Sequence, residues 1–145
     1  MLRACLGLVV LLLACRGGAA LAGTDTLSIT DATVKQLRDL RAEAKFHADA
    51  PTFYPGAPNE EVRSRCEQRV NALIDRLVAG LPSHPTQQYV LGQLGITVAS
   101  FGHEDFEERE RLLLYLERIM AIAGIPSSDG LLNQLRYGFD PNKAP

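Results

Sequence analysis

A chain of 145 residues, 46% hydrophobic and 22% charged, has room for one folded domain around one core. A mean hydropathy of −0.02 excludes both a polar disordered chain and a multi-span membrane protein. The formal charge of −2 lacks the basic footprint that a phosphate backbone or an anionic membrane surface requires, so no nucleic-acid partner is expected.

Residues 1–22 read as an export signal. Met1-Leu2-Arg3 gives a positive start, Leu6 to Ala14 is an apolar run broken by Gly7, and Ala20-Leu21-Ala22 is an Ala-x-Ala exit. The run is too short for a membrane-crossing helix of about 20 apolar residues. Two processing sites compete. Leu12-Leu13-Ala14-Cys15 resembles a bacterial lipobox, which would leave a lipidated Cys15 as a membrane anchor; the Ala-x-Ala site would release a soluble protein near Gly23. Arg16 fits awkwardly in a signal-peptidase exit region and favours the lipidated form. Either way the protein is expected in the periplasm or cell envelope. Loss of Arg3 and Arg16 with residues 1–22 leaves 13 basic against 17 acidic residues. Cys66 is then the cysteine certain to remain in the domain, so no internal disulfide holds it.

After a spacer at 23–29, the helical domain is expected over 30–141. Thr30 is an N-cap, with Ile29 and Val34 spaced as a hydrophobic staple. Val34, Leu37, Leu40 and Ala44 make a stripe that predicts a surface helix to about residue 47. Asp49 to Asn59 holds three prolines and a glycine, which excludes regular structure, and Tyr54-Pro55-Gly56-Ala57 suits a type II turn. Asn59 caps a second helix whose apolar arc runs from Val62 through Cys66, Val70, Leu73, Ile74 and Leu77 to Val78. Arg65, Arg69 and Arg76 share the opposite side, and Gly80 and Pro82 end the helix. A third helix starts near Pro85 or Thr86 and runs to Ser100 on Val90, Leu91, Leu94, Val98 and Phe101. Its Gly92, Gly95 and Ala99 stripe suggests a close helix approach.

The fourth helix has the clearest pattern. Asp105 and Glu108 form an Asp-x-x-Glu variant of the capping box, Leu112 to Ala123 build a continuous apolar face, and Gly124 with Pro126 terminates it. Ser127 or Ser128 caps a short fifth helix through Leu131, Leu132 and Leu135. No segment alternates with period two, so the predicted fold is all-α: a single compact helical bundle of four helices plus a short C-terminal one.

Phe53-Tyr54-Pro55-Gly56 followed by Glu60-Glu61-Val62-Arg63, the helix started by Asp105, and Gly130-Leu131-Leu132-Asn133 through Tyr137-Gly138-Phe139 together resemble a family of small bacterial proteins, domain of unknown function 4844. The resemblance spans residues 30–140. It implies a bacterial source and a single domain, and it carries no activity, cofactor or catalytic residue.

Read for chemistry, the residues assign no reaction, no metal and no cofactor. His47, His84 and His103 belong to three different loops, and His103-Glu104-Asp105 reads as helix capping. Cys66 sits on an apolar arc, where burial makes a thiol inert. Ser127 and Ser128 lack a nucleophile elbow, and Glu107 with Glu110 reads as a solvated face. Arg109 projects near the middle of the fourth helix's leucine face, as a snorkelling side chain or a partly buried charge paired with a carboxylate. Arg65, Arg69 and Arg76 read as a solvated stripe or an arginine contact surface. Phe53, Tyr54, Tyr137 and Phe139 either seal the ends of the bundle or form an exposed patch for a partner. The leading expectation is a non-catalytic envelope protein that binds another protein, of an inhibitor or immunity type by analogy alone. The alternative is a small-molecule binder or enzyme with a pocket between helices, to which Arg109, Tyr115 or His103 would contribute.

Overall fold

The computed structural model describes residues 26–139, 141 and 143; residues 1–25, with Cys15 and both processing sites, lie outside the described residues. Among the described residues there are five α-helices, α1 (Asp31–Ala42), α2 (Glu60–Gly80), α3 (Gln87–Ser100), α4 (Phe106–Ala123) and α5 (Leu131–Tyr137), and no extended strand. The fold is all-α. Helix α2 packs against α1, α3 and α4; α4 also meets α1 and carries α5, which reaches across to α3. None of these helices is long and apolar enough to cross a membrane.

The caps explain where the helices start. Thr30 Oγ1 accepts from Thr33 N at 3.2 Å while Thr33 Oγ1 accepts from Thr30 N, closing a reciprocal box. Asn59 Oδ1 takes Val62 N at 2.9 Å and Thr86 Oγ1 takes Tyr89 N at 3.2 Å. Each satisfies an orphan donor of a first turn. At the other end, α4 stops at Gly124; the N-cap of α5 is Gly130, at φ 87°, rather than Ser127 or Ser128, though Ser128 Oγ accepts from Leu132 N at 3.3 Å.

The apolar arcs then meet. Cys66, Val70, Leu73, Ile74 and Leu77 of α2 bury against Leu37 and Leu40 of α1, Val90 and Leu94 of α3, and Leu112, Leu116, Ile119 and Met120 of α4. Each such side chain taken fully out of water contributes roughly 2 kcal/mol. Leu27 and Ile29, ahead of α1, also pack on this core, and Leu27 N donates to Pro85 O at 2.7 Å. Gly80 lies inside α2 rather than after it, for a steric reason: a Cβ there would stand 1.9 Å from the Tyr89 hydroxyl, which donates to Arg76 O.

Five local expectations fail. Helix α1 ends at Ala42, not near 47: Ala44 is exposed, and Phe46, at φ 60°, turns into the core with Lys45. Lys45 Nζ donates to the carbonyls of Arg41 and Glu43 at 3.1 and 2.8 Å, so a buried cation closes the negative end of the helix. The following loop is not wholly irregular. Ala50–Thr52 make one 3-10 turn, and Asp49 pairs with Tyr54 in a short bridge. Gly56 has the φ of 89° that a type II turn needs, but Ala57 N donates to Phe46 O instead of closing the turn on Tyr54. Asp105 makes no side-chain cap, because the capping-box partner Glu108 turns inward and is buried. Finally, Gly92 and Gly95 have no neighbour within 4 Å of a Cβ position, so no helix packs closely against either glycine.

Candidate functional site

Helix α4 organises the chemistry-bearing residues, and its two flanks differ. On the flank facing the 43–58 loop, Arg111 Nη1 donates to Asp49 Oδ2 at 2.8 Å and Thr52 Oγ1 at 3.0 Å. Its guanidinium lies over the Tyr54 ring at 5.0 Å and the Tyr115 ring at 5.6 Å. Tyr54 is buried and its hydroxyl donates to Glu108 Oε1 at 3.3 Å. Tyr115 Oη accepts from Phe46 N at 3.1 Å, and the Phe46 ring stacks on Phe101 and meets the Tyr115 ring at a tilt. Burial pushes the Glu108 carboxyl and the Tyr54 hydroxyl up from their ordinary ranges.

A second cluster joins the start of α4 to α2. Glu104 is buried and receives Arg65 through Nε and Nη2, both at 2.9 Å, and also Arg69 Nη1. The hydrogen bond from Arg65 holds the Glu104 carboxyl below the usual carboxylate range against the opposing effect of burial. Arg76 donates to Gln93 Oε1 at 2.8 Å and Thr97 Oγ1 at 3.1 Å. The arginine face of α2 is therefore tied to α3 and the α3–α4 loop and is not the freely solvated stripe that its spacing suggested. Cys66 lies beneath, its thiol pushed up to about 11 by burial, which leaves it a poor nucleophile.

The other flank of α4, towards α5, is open. Arg109 is half-buried with its Nε enclosed, and among the described residues its side chain has no partner. It lines a cleft of about 590 Å³ whose walls include Gly95, Ala99 and Gly102 on the α3 side and Leu131, Leu135 and Tyr137 on α5. The expected pairing of Arg109 with a carboxylate is thus not made. Nor do the three polar groups expected at a pocket converge: Tyr115 faces the opposite flank with Arg111 and Arg118, and His103 is exposed.

Around the end of α5 the aromatic residues divide. Tyr54 is buried, which removes it from any contact surface. Phe53 beside it is 93% exposed, held outward by a left-handed φ of 56°. Tyr137 and Phe139 are 54% and 62% exposed, with ring centres 6.3 Å apart. Leu114 and Arg136 share a shallow cleft with Phe53, and Arg136 Nε reaches Glu110 Oε2 at 3.5 Å, tying α5 to α4. Spacing alone could not have sorted Phe53 from Tyr54; the signal was Glu108, an acid where a leucine face continues.

His47, His84 and His103 are exposed and apart, and the described residues contain no group of three or more His, Cys, Asp or Glu able to hold a metal ion. No curated protein and no solved structure matches the chain. The family model described as Domain of unknown function (DUF4844) matches residues 28–140, from just before α1 to just beyond α5, and the chain belongs to that family.

Proposed function

We propose that this is a non-catalytic, exported cell-envelope protein that binds another protein through the surface around α5. The observation that carries the reading is the exposure of Phe53 and Leu114, which share a cleft with Arg136, and of the paired Tyr137 and Phe139 that follow it in the chain, on a domain where Phe106 is the other strongly exposed aromatic ring among the described residues. Aromatic residues with an arginine at the centre are the composition of a protein contact core. The charged groups elsewhere favour the same reading: Arg65, Arg69 and Arg111 are each consumed by an internal partner, which leaves them to hold the scaffold. The partner is a protein presenting apolar side chains to this surface. Export rests on the apolar run of residues 6–14 and its small-residue exit.

A photo-reactive residue placed at 53 or at 139 in the full chain, expressed in its own envelope, tests the surface. The reading expects one adduct of the same added mass from both positions and none from position 38, which lies exposed on α1. Adducts equal at all three positions, or none, would overturn it. The mass of the mature protein tests export: a start at Cys15 with acyl chains means a lipoprotein, a start near Gly23 means a soluble envelope protein, and an unprocessed Met1 sinks the proposal.

A further inference from the structure

Five other half-buried arginines of the domain have a partner that explains their place. Arg63 is held by Glu60 and Glu67, Arg65 and Arg69 by Glu104, Arg76 by Gln93 and Thr97, and Arg111 by Asp49. Arg109 departs from this pattern. Among the described residues its side chain meets no partner at all; its Nε is enclosed without an acceptor, as is that of Arg111, and the side chain lines the α3–α4–α5 cleft. A buried charged donor left unmade costs free energy that an incoming anion recovers.

The walls narrow the class of anion. Leu131 and Leu135 are apolar, and a Cβ at Gly95 would meet open space, so the stripe that failed as a helix-packing surface forms a side of the cleft. Arg136 also lines the cleft but is engaged by Glu110 at 3.5 Å, which leaves the Arg109 guanidinium as a fork for one carboxylate. A phosphate dianion asks for several cations or a nest of amides, and the domain carries a net negative charge that opposes it. The volume of about 590 Å³ lies within the range of small-ligand sites. We infer that the cleft between α3, α4 and α5 is a binding site for a small monocarboxylic acid with an apolar body, its carboxylate on Arg109 and its body between Gly95 and Leu135. The cleft shares Arg136 and Tyr137 with the proposed protein-binding surface, whereas Phe53 and Leu114 lie outside it.

The test is a titration of the full chain, isotope-labelled for NMR, with 4-phenylbutyrate and separately with its neutral amide. The expected result is a saturable shift of the Gly95, Gly102 and Gly138 amides and of the Arg109 Nε–H resonance. Affinity for the neutral amide should be lower by about tenfold or more, the loss of a charge-assisted pair. Arg109→Gln should remove the preference for the acid, and Gly95→Leu, which fills open space on a helix, should block both compounds with the fold retained. Phe53→Ser should leave the acid's binding unchanged, separating this site from the protein-binding surface. Absence of a saturable shift, equal binding of acid and amide, or unchanged acid binding by Arg109→Gln would each overturn the inference.

Discussion

On the flank of α4 that meets the 43–58 loop, Arg111 is held by Asp49 and Thr52 and lies over two tyrosine rings; on the flank that meets α5, the side chain of Arg109, two residues earlier, has no partner among the described residues. The same helix thus carries one arginine used to fasten a loop and one left unspent. The loop flank is also where backbone is held under constraint, with Phe46 in left-handed conformation between Tyr115, Ala57 and Phe101. The α5 flank buries no large side chain completely and leaves its aromatic rings outside.

The contrast is broken most severely at the seam between α2 and α4. Glu104→Leu strands two arginines and should cost about 3 kcal/mol in urea unfolding, at the low end for a buried pair because both guanidinium groups keep some water. Next in size, Tyr115→Phe leaves Phe46 N buried without an acceptor and should cost about 2 kcal/mol, with faster backbone amide exchange along 46–57 as its signature.

Glu104, just ahead of α4, and Glu108, in its first turn, should show opposite dependence on pH. The Glu104 carboxyl is held low in the folded state, so its stabilisation is full above the ordinary carboxylate range and lost as pH falls through its folded value. The Glu108 carboxyl is raised by burial, so its contribution is full below the ordinary range and lost as pH rises through its folded value. Glu108→Gln should therefore gain on the wild type between acid and neutral pH, by under about 1 kcal/mol, whereas Glu104→Gln loses over that interval. Parallel curves for both variants would show that the two carboxyls share one environment. The smallest effects belong to the open flank. Tyr137→Ser and Phe139→Ser should change stability by less than about 0.5 kcal/mol, and a larger loss would make these rings part of the core.

The helices themselves were legible because their signals are local. Thr30, Asn59 and Thr86 cap within three residues, and Gly124 ends α4 where the leucine face ends. The all-α fold follows from those periods and from the absence of alternation. What periodicity does not encode is which distant element lies across a polar face. Arg65 and Arg69 look solvated on a helical projection because Glu104 is 39 and 35 residues away. Asp105 and Glu108 have the spacing of a capping box, and the buried hydroxyl of Tyr54, 54 residues earlier, wins the carboxylate instead. The early end of α1 was hidden for the same reason: nothing between Ala42 and Phe46 is a helix breaker, and the stop comes from Lys45 folding back under the core. Arg109 was visible as an anomaly on an apolar arc, but its lack of a partner is a property of the assembled bundle.

Lys45 also makes the domain chemically self-reporting. The chain has three lysines, of which Lys35 is in solvent while Lys45 is fully enclosed on the last carbonyls of α1. An amine-directed acylating reagent will therefore mark Lys35 at the rate of a free side chain and reach Lys45 when the 43–58 loop lifts from α4. The ratio of the two labels, read peptide by peptide, is a clock for that opening, and coupling the protein to a surface through its amines leaves the loop flank chemically untouched.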